Sequence, residues 1–359
     1  MELGISVYIG EGYTYDKNIQ YIQMARSLGV SNVFTSFNIS SGREDIAKTA
    51  ALIEYAKKEG LYTSVDVSSR IFKIFNAKLE DLSVFHRMGI DEIRLDYGFG
   101  AKAIAVLSNN NMGIDIAINA STVDNSHIEE IFRNGGNRKN IKACHNFYPR
   151  PYTGLSRSFY TDKNNMLMGH GLEISTFIPS NAGKRGPLYE GLPTIEEHRN
   201  MPSYVAAKRL IYGNMTDKIY IGDAYASREE LENILNIDTE TVELYIDLFD
   251  GVSCEAKNII FKDYHTNRTD APEYLVRSVE SRVDNTSNIE PFNCKDREYG
   301  SITIDNANMG RYMGELQIVR GELPADPRTN VVGRVASSHM ICLDCIHPGT
   351  KFTLIEEDD

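Results

Sequence analysis

Apolar, β-rich strings recur at a nearly regular interval through the first two thirds of the chain. Most of them start roughly 22 to 32 residues apart, the length of one strand, one helix and two short loops, which is the unit that makes successive strands parallel. The eight strings are LGISVYI from Leu3, NVFTSF from Asn32, YTSVDV from Tyr62, EIRLDYG from Glu92, GIDIAIN from Gly113, IKACHNF from Ile141, LEISTFI from Leu172 and KIYIGDA from Lys218.

The segments between the strings have a helical period. NIQYIQMARSLG, AKTAALIEYAKKEG and HIEEIFRNGG each place apolar residues three and four positions apart and carry a terminal glycine. Eight strand and helix units in about 235 residues match the size of a (β/α)8 barrel, whereas a doubly wound sheet more typically stops at about five or six strands. The pattern therefore predicts an α/β fold that begins with a TIM barrel.

The pattern changes near residue 240. Ser227 and Glu230 have the spacing of a capping box and predict a helix that closes the barrel. Beyond it, short segments alternate apolar and polar residues with a period of two, and no comparable helices separate them. We predict two domains, the barrel over 1–240 and a smaller β-barrel or sandwich over 241–359.

Composition agrees with a globular chain and excludes several classes of protein. The 359 residues exceed the size at which one core usually stops growing, and 42% of them are hydrophobic without any long apolar tract. A formal net charge of -12 and the lack of a basic run argue against binding to nucleic acid or an anionic membrane. The first residues alternate like a strand and not like a signal peptide, and the five scattered cysteines fit reduced thiols, so we expect a cytoplasmic protein.

Polar residues at the carboxyl ends of the strings are the first candidates for chemistry, because that end of a barrel holds the active site. Glycoside hydrolysis needs one carboxyl group that donates a proton and one carboxylate that attacks or activates water. Such an acid can instead cap a helix, pair with an arginine or close a layer of core, and a histidine here can be structural. The candidate acids are Asp96, Asp66, Asp223 and, from the long loop after the seventh string, Glu190, and the candidate substrate contacts beside them are Asn119, His145 and Asn146.

The loops after the seventh and eighth strings are candidates for anion binding, because barrels commonly hold phosphate there through backbone amides at a helix start. GDAYAS places small residues before the capped helix, and the seventh loop combines glycines with basic residues. An Arg and a Lys beside exposed amides would give an anion charge and directional hydrogen bonds, and the alternative is a solvated basic loop. The candidates are Ser180, Asn181, Lys184, Arg185 and Tyr189, together with Arg150 after the sixth string.

The segment HMICLDCIH near the C-terminus contains residue types that bind zinc, namely His339, Cys342, Cys345 and His347. In a strand, positions three apart point to opposite faces, and the chain has no second CxxC pair. We therefore predict no metal site. P-loop, GxGxxG and GxSxG patterns are also absent, so we expect no nucleotide or other organic cofactor.

Several longer motifs resemble one known family. They are GISVYIG, NVFTSF, RLDYGF, HNFYPRPYTGLS, KRGPLYEGLPTIEEHR and GDAYAS in the first domain, and RTDAPEYLVRSVESR and ITIDNANMGRYMGELQI in the second. With these motifs the chain resembles the bacterial 6-phospho-N-acetylmuramidases, once labelled outer-surface proteins, over almost its whole length. The resemblance implies a cytoplasmic glycosidase with a cyclophilin-like C-terminal domain, which splits N-acetylmuramic acid 6-phosphate from N-acetylglucosamine during cell-wall recycling.

The implied substrate carries a phosphate and a lactyl carboxylate, which agrees with Lys184, Arg185 and Arg150 in an otherwise acidic chain. The second domain is expected to close over the barrel mouth or to support a homodimer. Its RYMGELQ motif offers Arg311, Tyr312 and Glu315 as candidate substrate contacts, and structural support is the alternative.

Two other functions stay open beside hydrolysis. A barrel aldolase or isomerase acting on a sugar phosphate would need a lysine or a metal cluster at a strand end, and Lys142 lies early in its strand. The other alternative is a carbohydrate-binding protein without catalysis. The distance between the two carboxyl groups, which separates retaining from inverting hydrolysis, depends on the tertiary structure.

Overall fold

The computed structural model describes residues 1–10, 12–39, 42–270 and 272–356. The chain divides into two compact units, Met1–Ile237 and Asp238–Asp359. The first unit is a closed barrel of eight strands, and the second contains a mixed sheet of seven strands. The prediction of an α/β barrel followed by a smaller β-rich fold is confirmed.

All eight strands of the barrel are parallel, and the last strand pairs with the first, with Leu3 opposite Ile219. They are almost entirely buried, as strands must be when helices cover one face and side chains fill the other. The strands are β1 (Glu2–Ser6), β2 (Asn32–Ser36), β3 (Tyr62–Val67), β4 (Glu92–Leu95), β5 (Asp115–Asn119), β6 (Ile141–Cys144), β7 (Ile174–Ile178) and β8 (Lys218–Ile221).

Helices cover the outside of the barrel, and their ends carry the signals read from the sequence. Gly29 ends the first helix with a φ of 107°, a left-handed conformation that glycine adopts readily. The predicted capping box of Ser227 and Glu230 is present at the last helix of this unit. The helices are α1 (Tyr15–Leu28), α2 (Arg43–Lys58), α3 (Ser69–Ile74), α4 (Ser83–Arg87), α5 (Ala101–Ser108), α6 (Asn125–Arg133), α7 (Arg157–Gly169), α8 (Ser203–Tyr212) and α9 (Arg228–Leu235).

An aromatic layer fills the inside of the barrel. Phe34, Phe177 and Tyr220 are buried, and the centroid of the Phe34 ring lies 5.0 Å from that of Phe177 and 6.0 Å from that of Tyr220. A Cβ atom on Gly4 would lie 2.3 Å from the Tyr220 ring, so β1 needs glycine at this point. Because this layer closes the barrel, a ligand can approach only the side chains at its ends.

The sheet of the second unit is mixed. Its strand order is β10-β15-β9-β14-β12-β13-β11, and β15 pairs in parallel with β9 while the other neighbours are antiparallel. The strands are β9 (Thr241–Leu248), β10 (His265–Thr266), β11 (Leu275–Arg277), β12 (Ser301–Asp305), β13 (Leu316–Val319), β14 (Thr329–Val335) and β15 (Lys351–Glu356). Three short helices accompany them, α10 (Cys254–Ile260), α11 (Glu280–Val283) and α12 (Met340–Leu343).

The HMICLDCIH segment contains α12 and not a strand, so the argument from strand faces against zinc was wrong. The amides of His339 and Cys342 donate to carbonyls three residues earlier, which starts the helical turn. Among the described residues, no group of three or more His, Cys, Asp or Glu side chains is arranged to hold a metal ion. The same ranges contain no helix with the length and apolar character needed to cross a bilayer.

Candidate active site

Two aspartates from neighbouring strands lie at the barrel mouth. Asp66 lies on β3, Asp96 directly follows β4, and the two strands pair in parallel with Asp66 opposite Arg94. Asp66 is 9% exposed and Asp96 is partly exposed. The strand-end argument thus selected two acids that the fold brings to the same edge.

Asp66 is held by polar side chains on both of its oxygens. Its Oδ1 accepts a hydrogen bond of 2.7 Å from Arg94 Nη1 in a buried ion pair, and its Oδ2 accepts one of 3.0 Å from Ser36 Oγ. Charge-assisted hydrogen bonds of this length fix the orientation of the carboxylate. Asp66 is therefore presented to the mouth as an oriented anion.

One side-chain amide joins the two acids. Asn38 Nδ2 donates to Asp66 Oδ2 at 3.3 Å and to Asp96 Oδ2 at 3.2 Å. Because the two oxygens share this nitrogen, they lie at most about 6.5 Å apart. Burial raises the pKa of Asp96, and the negative charge of Asp66 raises it further, against the opposing effect of Arg94. The pair combines an oriented carboxylate with an acid that keeps its proton to higher pH.

The hydrogen-bond network continues across the next two strands. Arg94 Nη2 donates a short hydrogen bond to Asn146 Oδ1, and Asn119 Nδ2 donates to the same oxygen at 3.1 Å. Asn119 and Asn146 are both partly exposed. These two predicted substrate contacts therefore belong to the same network as Asp66 and Asp96.

A cavity of about 300 Å³ opens beside Asp96. Tyr97 and Asn119 line it with polar atoms, and Phe99 and Ile118 contribute an apolar wall. Small-molecule sites have volumes from about 300 Å³ upward and combine apolar walls with a few polar groups. The cavity is thus large enough for part of a small ligand next to Asp96.

Arg185 extends from the loop after β7 to the aromatic side chains of the mouth. Its guanidinium carbon lies 4.4 Å from the centroid of the Tyr8 ring and 5.1 Å from that of the Phe147 ring. Its Nη1 is buried and has no hydrogen-bond partner within the described ranges. A buried donor without an acceptor is costly, so this guanidinium is well suited to receive an oxygen from an anionic ligand. Lys184 is partly exposed on the same loop.

Asp223 fixes that loop and does not face the mouth as the other two aspartates do. It is fully buried, its Oδ2 accepts from the amides of Ser180 at 2.9 Å and Leu192 at 3.1 Å, and its Oδ1 accepts from the amide of Arg185 at 2.8 Å. Burial raises the pKa of Asp223, although the three amides lower it. With both oxygens engaged by backbone, its geometry favours a structural role over the predicted catalytic one.

The backbone amides expected to bind an anion are already engaged. Ser180 Oγ accepts hydrogen bonds from the amides of Ala182 and Gly183 at 3.1 Å each, and it donates to Glu230 Oε2 at 2.9 Å. The Asn181 amide donates to Glu230 Oε1 at 2.7 Å, and after β8 the amide of Ser227 donates to Glu230 Oε2 at 2.9 Å. The capping carboxylate thus occupies the position where an anion was expected, and Ser180 and Asn181 hold the loop to α9. The basic side chains remain as the candidates for anion binding.

His145 is enclosed in the barrel wall. It is 0% exposed, its Nδ1 lies 3.1 Å from Ser121 Oγ, and its Nε2 lies 2.7 Å from Asn164 Oδ1. Burial lowers the pKa of His145 to about 4. Both ring nitrogens have partners within the protein, and the ring is neutral near pH 7. This geometry favours a structural role for His145 over the predicted contact with substrate.

Glu190, Tyr189 and Arg150 are exposed on the rim. Their loops are joined by Arg199, which binds the Glu196 carboxylate through Nε and Nη2 at 2.6 Å each and donates to the carbonyl oxygens of Arg150 at 3.2 Å and Glu190 at 3.5 Å. The hydrogen bonds from Arg199 lower the pKa of Glu196 to about 2. A buried arginine therefore holds the loops of the rim together. The backbone carbonyl of Glu190 accepts one of its hydrogen bonds, and the Glu190 side chain is exposed to solvent.

Two sequence profiles cover the chain. Residues 3–236 match the profile described as 6-phospho-N-acetylmuramidase, N-terminal, and residues 242–355 match the profile described as 6-phospho-N-acetylmuramidase, C-terminal. The chain belongs to the 6-phospho-N-acetylmuramidase family. The predicted resemblance is confirmed, and the family assigns the chain to the enzymes of glycosidase type.

Two solved structures are similar to this muramidase-family chain over almost its full length. One is described as an uncharacterized B. cereus protein, with 34% identity, a TM-score of 0.87, and 99% of each chain covered. The other is described as a conserved protein of unknown function from a locus in Enterococcus faecalis, with 33% identity, a TM-score of 0.75, and coverage of 99% of this chain and 97% of that one. No curated protein matches the chain.

In the second unit of this muramidase-family chain, the RYMGELQ motif is divided between surface and interior. Arg311 and Tyr312 are exposed, and Arg311 Nη2 donates to Tyr312 Oη at 2.6 Å. Glu315 is 3% exposed and forms ion pairs with Arg277 and Arg282. Its carboxylate orients the two arginines, so a direct contact with substrate is not its role in this geometry.

Sequence reasoning missed Asn38 and Arg199. Asn38 is the first residue after the second string, so the argument from strand ends that selected Asp66 and Asp96 also applied to it. The predicted candidates came from the ends of the third to eighth strings, so the end of the second string was passed over. For Arg199 the only local signal was Glu196 three residues earlier, because its other acceptors are carbonyl oxygens in loops that only the fold brings together.

Proposed function

We propose that this chain hydrolyses the bond between N-acetylmuramic acid 6-phosphate and N-acetylglucosamine in the recycling of bacterial cell wall. The observation that carries the proposal is the contact of one amide, Asn38 Nδ2, with both Asp66 and Asp96 at the barrel mouth. Glycoside hydrolysis needs two carboxyl groups with different protonation states at such a distance.

Asp96 is the proposed general acid, and Asp66 is the proposed nucleophile. The raised pKa of Asp96 suits a group that must hold a proton until the glycosidic oxygen leaves. The Asp66 carboxylate forms an ion pair with Arg94, which fixes its orientation. Asn38 is a positioning residue, since it acts through the two aspartates.

The separation of the two carboxylates supports a retaining mechanism. Retaining enzymes place them about 5 Å apart, and inverting enzymes need roughly 6.5 to 9.5 Å to admit a water molecule. The shared hydrogen bonds place Asp66 Oδ2 and Asp96 Oδ2 at most about 6.5 Å apart. This maximum lies at the short limit of the inverting range. In the first step Asp66 forms a bond to the anomeric carbon while Asp96 gives its proton to the leaving oxygen. In the second, Asp96 takes a proton from water, the water oxygen bonds to the same carbon, and Asp66 leaves.

Arg185 is the proposed anchor for an anionic group of the substrate. Its buried Nη1 lacks an acceptor within the described ranges, and the Tyr8 and Phe147 rings hold its plane. Lys184, partly exposed on the same loop, adds a second positive charge. Both the 6-phosphate and the lactyl carboxylate of the proposed substrate provide oxygens for such a group.

The aldolase alternative receives no support from the lysine that it would need. Lys142 lies on β6, one residue from its start, and its Nζ forms an ion pair of 2.8 Å with Glu173. A Schiff-base lysine must be free to attack a carbonyl at the mouth.

The test is a hydrolysis assay of the phosphorylated disaccharide beside its unphosphorylated form, with wild type, Asp96→Asn, Asp66→Asn and Arg185→Ala. We expect release of N-acetylglucosamine from the phosphorylated disaccharide, a loss of at least about 1,000-fold in kcat in each aspartate variant, and a raised KM in Arg185→Ala. Asp247→Asn, a change of the same kind in the second unit, is the matched control.

Proton NMR of the product at early times tests the retaining mechanism, because a retaining enzyme first releases the anomer of the substrate's configuration. Inverted product would show that water attacks directly and would remove the nucleophilic role of Asp66. Absence of hydrolysis by folded wild type would refute the proposed function itself.

A further inference from the structure

Three arginines of the second unit converge on one tyrosine and one buried carboxylate. Glu315 is 3% exposed, its Oε1 accepts from Arg277 Nε at 2.6 Å, and its Oε2 accepts from Arg282 Nη1 at 3.3 Å. The guanidinium carbons of Arg282 and Arg311 lie 5.3 and 4.8 Å from the centroid of the Tyr312 ring. These five residues form what we call the arginine cluster.

Separate segments of the chain build the cluster. Arg277 ends β11, Arg282 lies on α11, and Glu315 directly precedes β13. Tyr312 ends a 3-10 segment over Ala307–Tyr312. Gly314, with a φ of 87°, lets the chain turn between Tyr312 and Glu315. The side chains thus meet through the tertiary structure and do not form a run of solvated charges along one element.

The cluster has more positive charge and more hydrogen-bond donors than its own carboxylate uses. A guanidinium has five N–H donors, and in the described part of the chain the hydrogen bonds from the side chains of Arg277 and Arg282 are one each, both to Glu315. The two side chains are 23% and 32% exposed, so further donors reach solvent. Asp305 adds a second carboxylate nearby, because Gln317 donates hydrogen bonds to both Asp305 and Glu315. Three arginines against two carboxylates leave one net positive charge, in a chain whose net charge is -12.

Other arginines of the second unit are paired differently. Arg268 binds Asp270 through Nε and Nη2 at 2.8 Å each, and Arg328 binds Asp326 in the same way at 2.9 and 2.7 Å. Each of these is a closed pair in which one carboxylate matches one guanidinium fork. In the cluster, one carboxylate serves two guanidiniums with one hydrogen bond each, which leaves both forks incomplete.

We propose that the arginine cluster binds a small oxyanion, a phosphate monoester or a carboxylate. Glu315 is a positioning residue that holds Arg277 and Arg282 side by side, and Arg311 closes the site from the Tyr312 side. Planar guanidinium groups suit such anions because their paired N–H donors match two oxygens of one ligand. The inference goes beyond the proposed function, since it concerns the second unit and requires no glycosidase chemistry in the barrel.

The test is an NMR titration of the full chain that follows the arginine Nε–Hε resonances. The probes are inorganic phosphate, glucose 6-phosphate and acetate, with glucose as the neutral comparison. Arg282→Ala and Arg311→Ala each remove one cation of the site, and Arg328→Ala is the matched control from a closed pair. We expect saturable shifts of the cluster resonances, an affinity weakened at least about tenfold in the two cluster variants, and no change in the control.

The outcomes separate the ligand classes and the location of the site. Saturation by phosphate and glucose 6-phosphate but not acetate identifies a phosphate site, and the reverse identifies a carboxylate site. Arg311→Ala leaves the pairs of Glu315 intact, so its effect does not depend on a disturbed interior. In Arg185→Ala the anion must shift the cluster resonances with the same affinity as in wild type. If these shifts were lost in that variant, the anion would be bound in the barrel and not at the cluster. That result, an absence of saturable shifts, or an affinity in both cluster variants equal to that of wild type would overturn the proposal.

Discussion

Replacement of Asn38 by alanine removes the amide that joins the two proposed catalytic acids. The donors at 3.3 Å to Asp66 and 3.2 Å to Asp96 are lost together, while both carboxyl groups keep their backbone positions. A hydrogen bond to a charged group contributes about 1.5 to 3 kcal/mol, and we take the lower figure because Asp96 is partly exposed. That amount corresponds to about one pH unit in a titration and to about tenfold in a rate.

The direction of the pH effect follows from the role of the donor. The amide stabilises the ionised form of Asp96, so its removal favours the protonated form and adds to the effect of burial on the pKa of Asp96. Because the proposed acid must be protonated to act, the alkaline limb of the kcat/KM profile should move upward by about one pH unit. The maximum of the profile should fall about tenfold as the two carboxylates lose their common donor.

The assay is kcat/KM for the phosphorylated disaccharide from pH 4 to 9, with Asn109→Ala as the matched control. Asn109 Nδ2 also donates to two acceptors, the carbonyl oxygens of Ala105 and Gly135 at 2.8 Å each, but it lies at the end of α5. A limb that stays in place or moves to lower pH in Asn38→Ala, or an equal shift in both variants, would refute the reasoning.

Other parts of the structure give three predictions about stability. Gly4→Ala should lower the free energy of unfolding by about 2 kcal/mol, because the new methyl group would lie 2.3 Å from the Tyr220 ring. Arg199→Ala should lower it by about 2 kcal/mol, since the partly exposed Glu196 carboxylate and several loop carbonyls lose their donor. Since burial lowers the pKa of His145 from 6.5 to about 4, the stability it contributes above pH 6.5 should be lost as the pH falls from 6.5 to 4, by about 3 kcal/mol in total.

Urea unfolding checks each of these predictions against a control. Gly10→Ala should be almost neutral because nothing lies within 4 Å of the new Cβ, and a similar loss at both glycines would contradict the steric argument. Arg228→Ala removes an exposed ion pair and should change stability by less than about 1 kcal/mol. His145→Asn should show a smaller loss of stability between pH 6.5 and 4 than wild type, and parallel curves would show that another group dominates.

Local pattern was sufficient for the architecture. The spacing of the apolar strings reflects the length of a strand and a helix, both of which depend on neighbouring residues, so eight units predicted a closed barrel. The same logic gave the capping box of Ser227 and Glu230 and placed Asp66 and Asp96 at one edge. Where local pattern was ambiguous it misled, as in HMICLDCIH, whose short apolar run forms α12.

The sequence by itself determined the barrel, the β-rich second unit, the family and the two neighbouring acids, because each of these follows from local periodicity, strand order or long motifs. Only the tertiary structure decided which polar groups are already paired. Asn38 and Asp96 are 58 positions apart, and Asp223 and the amide of Arg185 are 38 apart. How far a polar side chain remains available to a ligand depends on which of its donors and acceptors are already used within the protein, and that depends on partners brought near by folding.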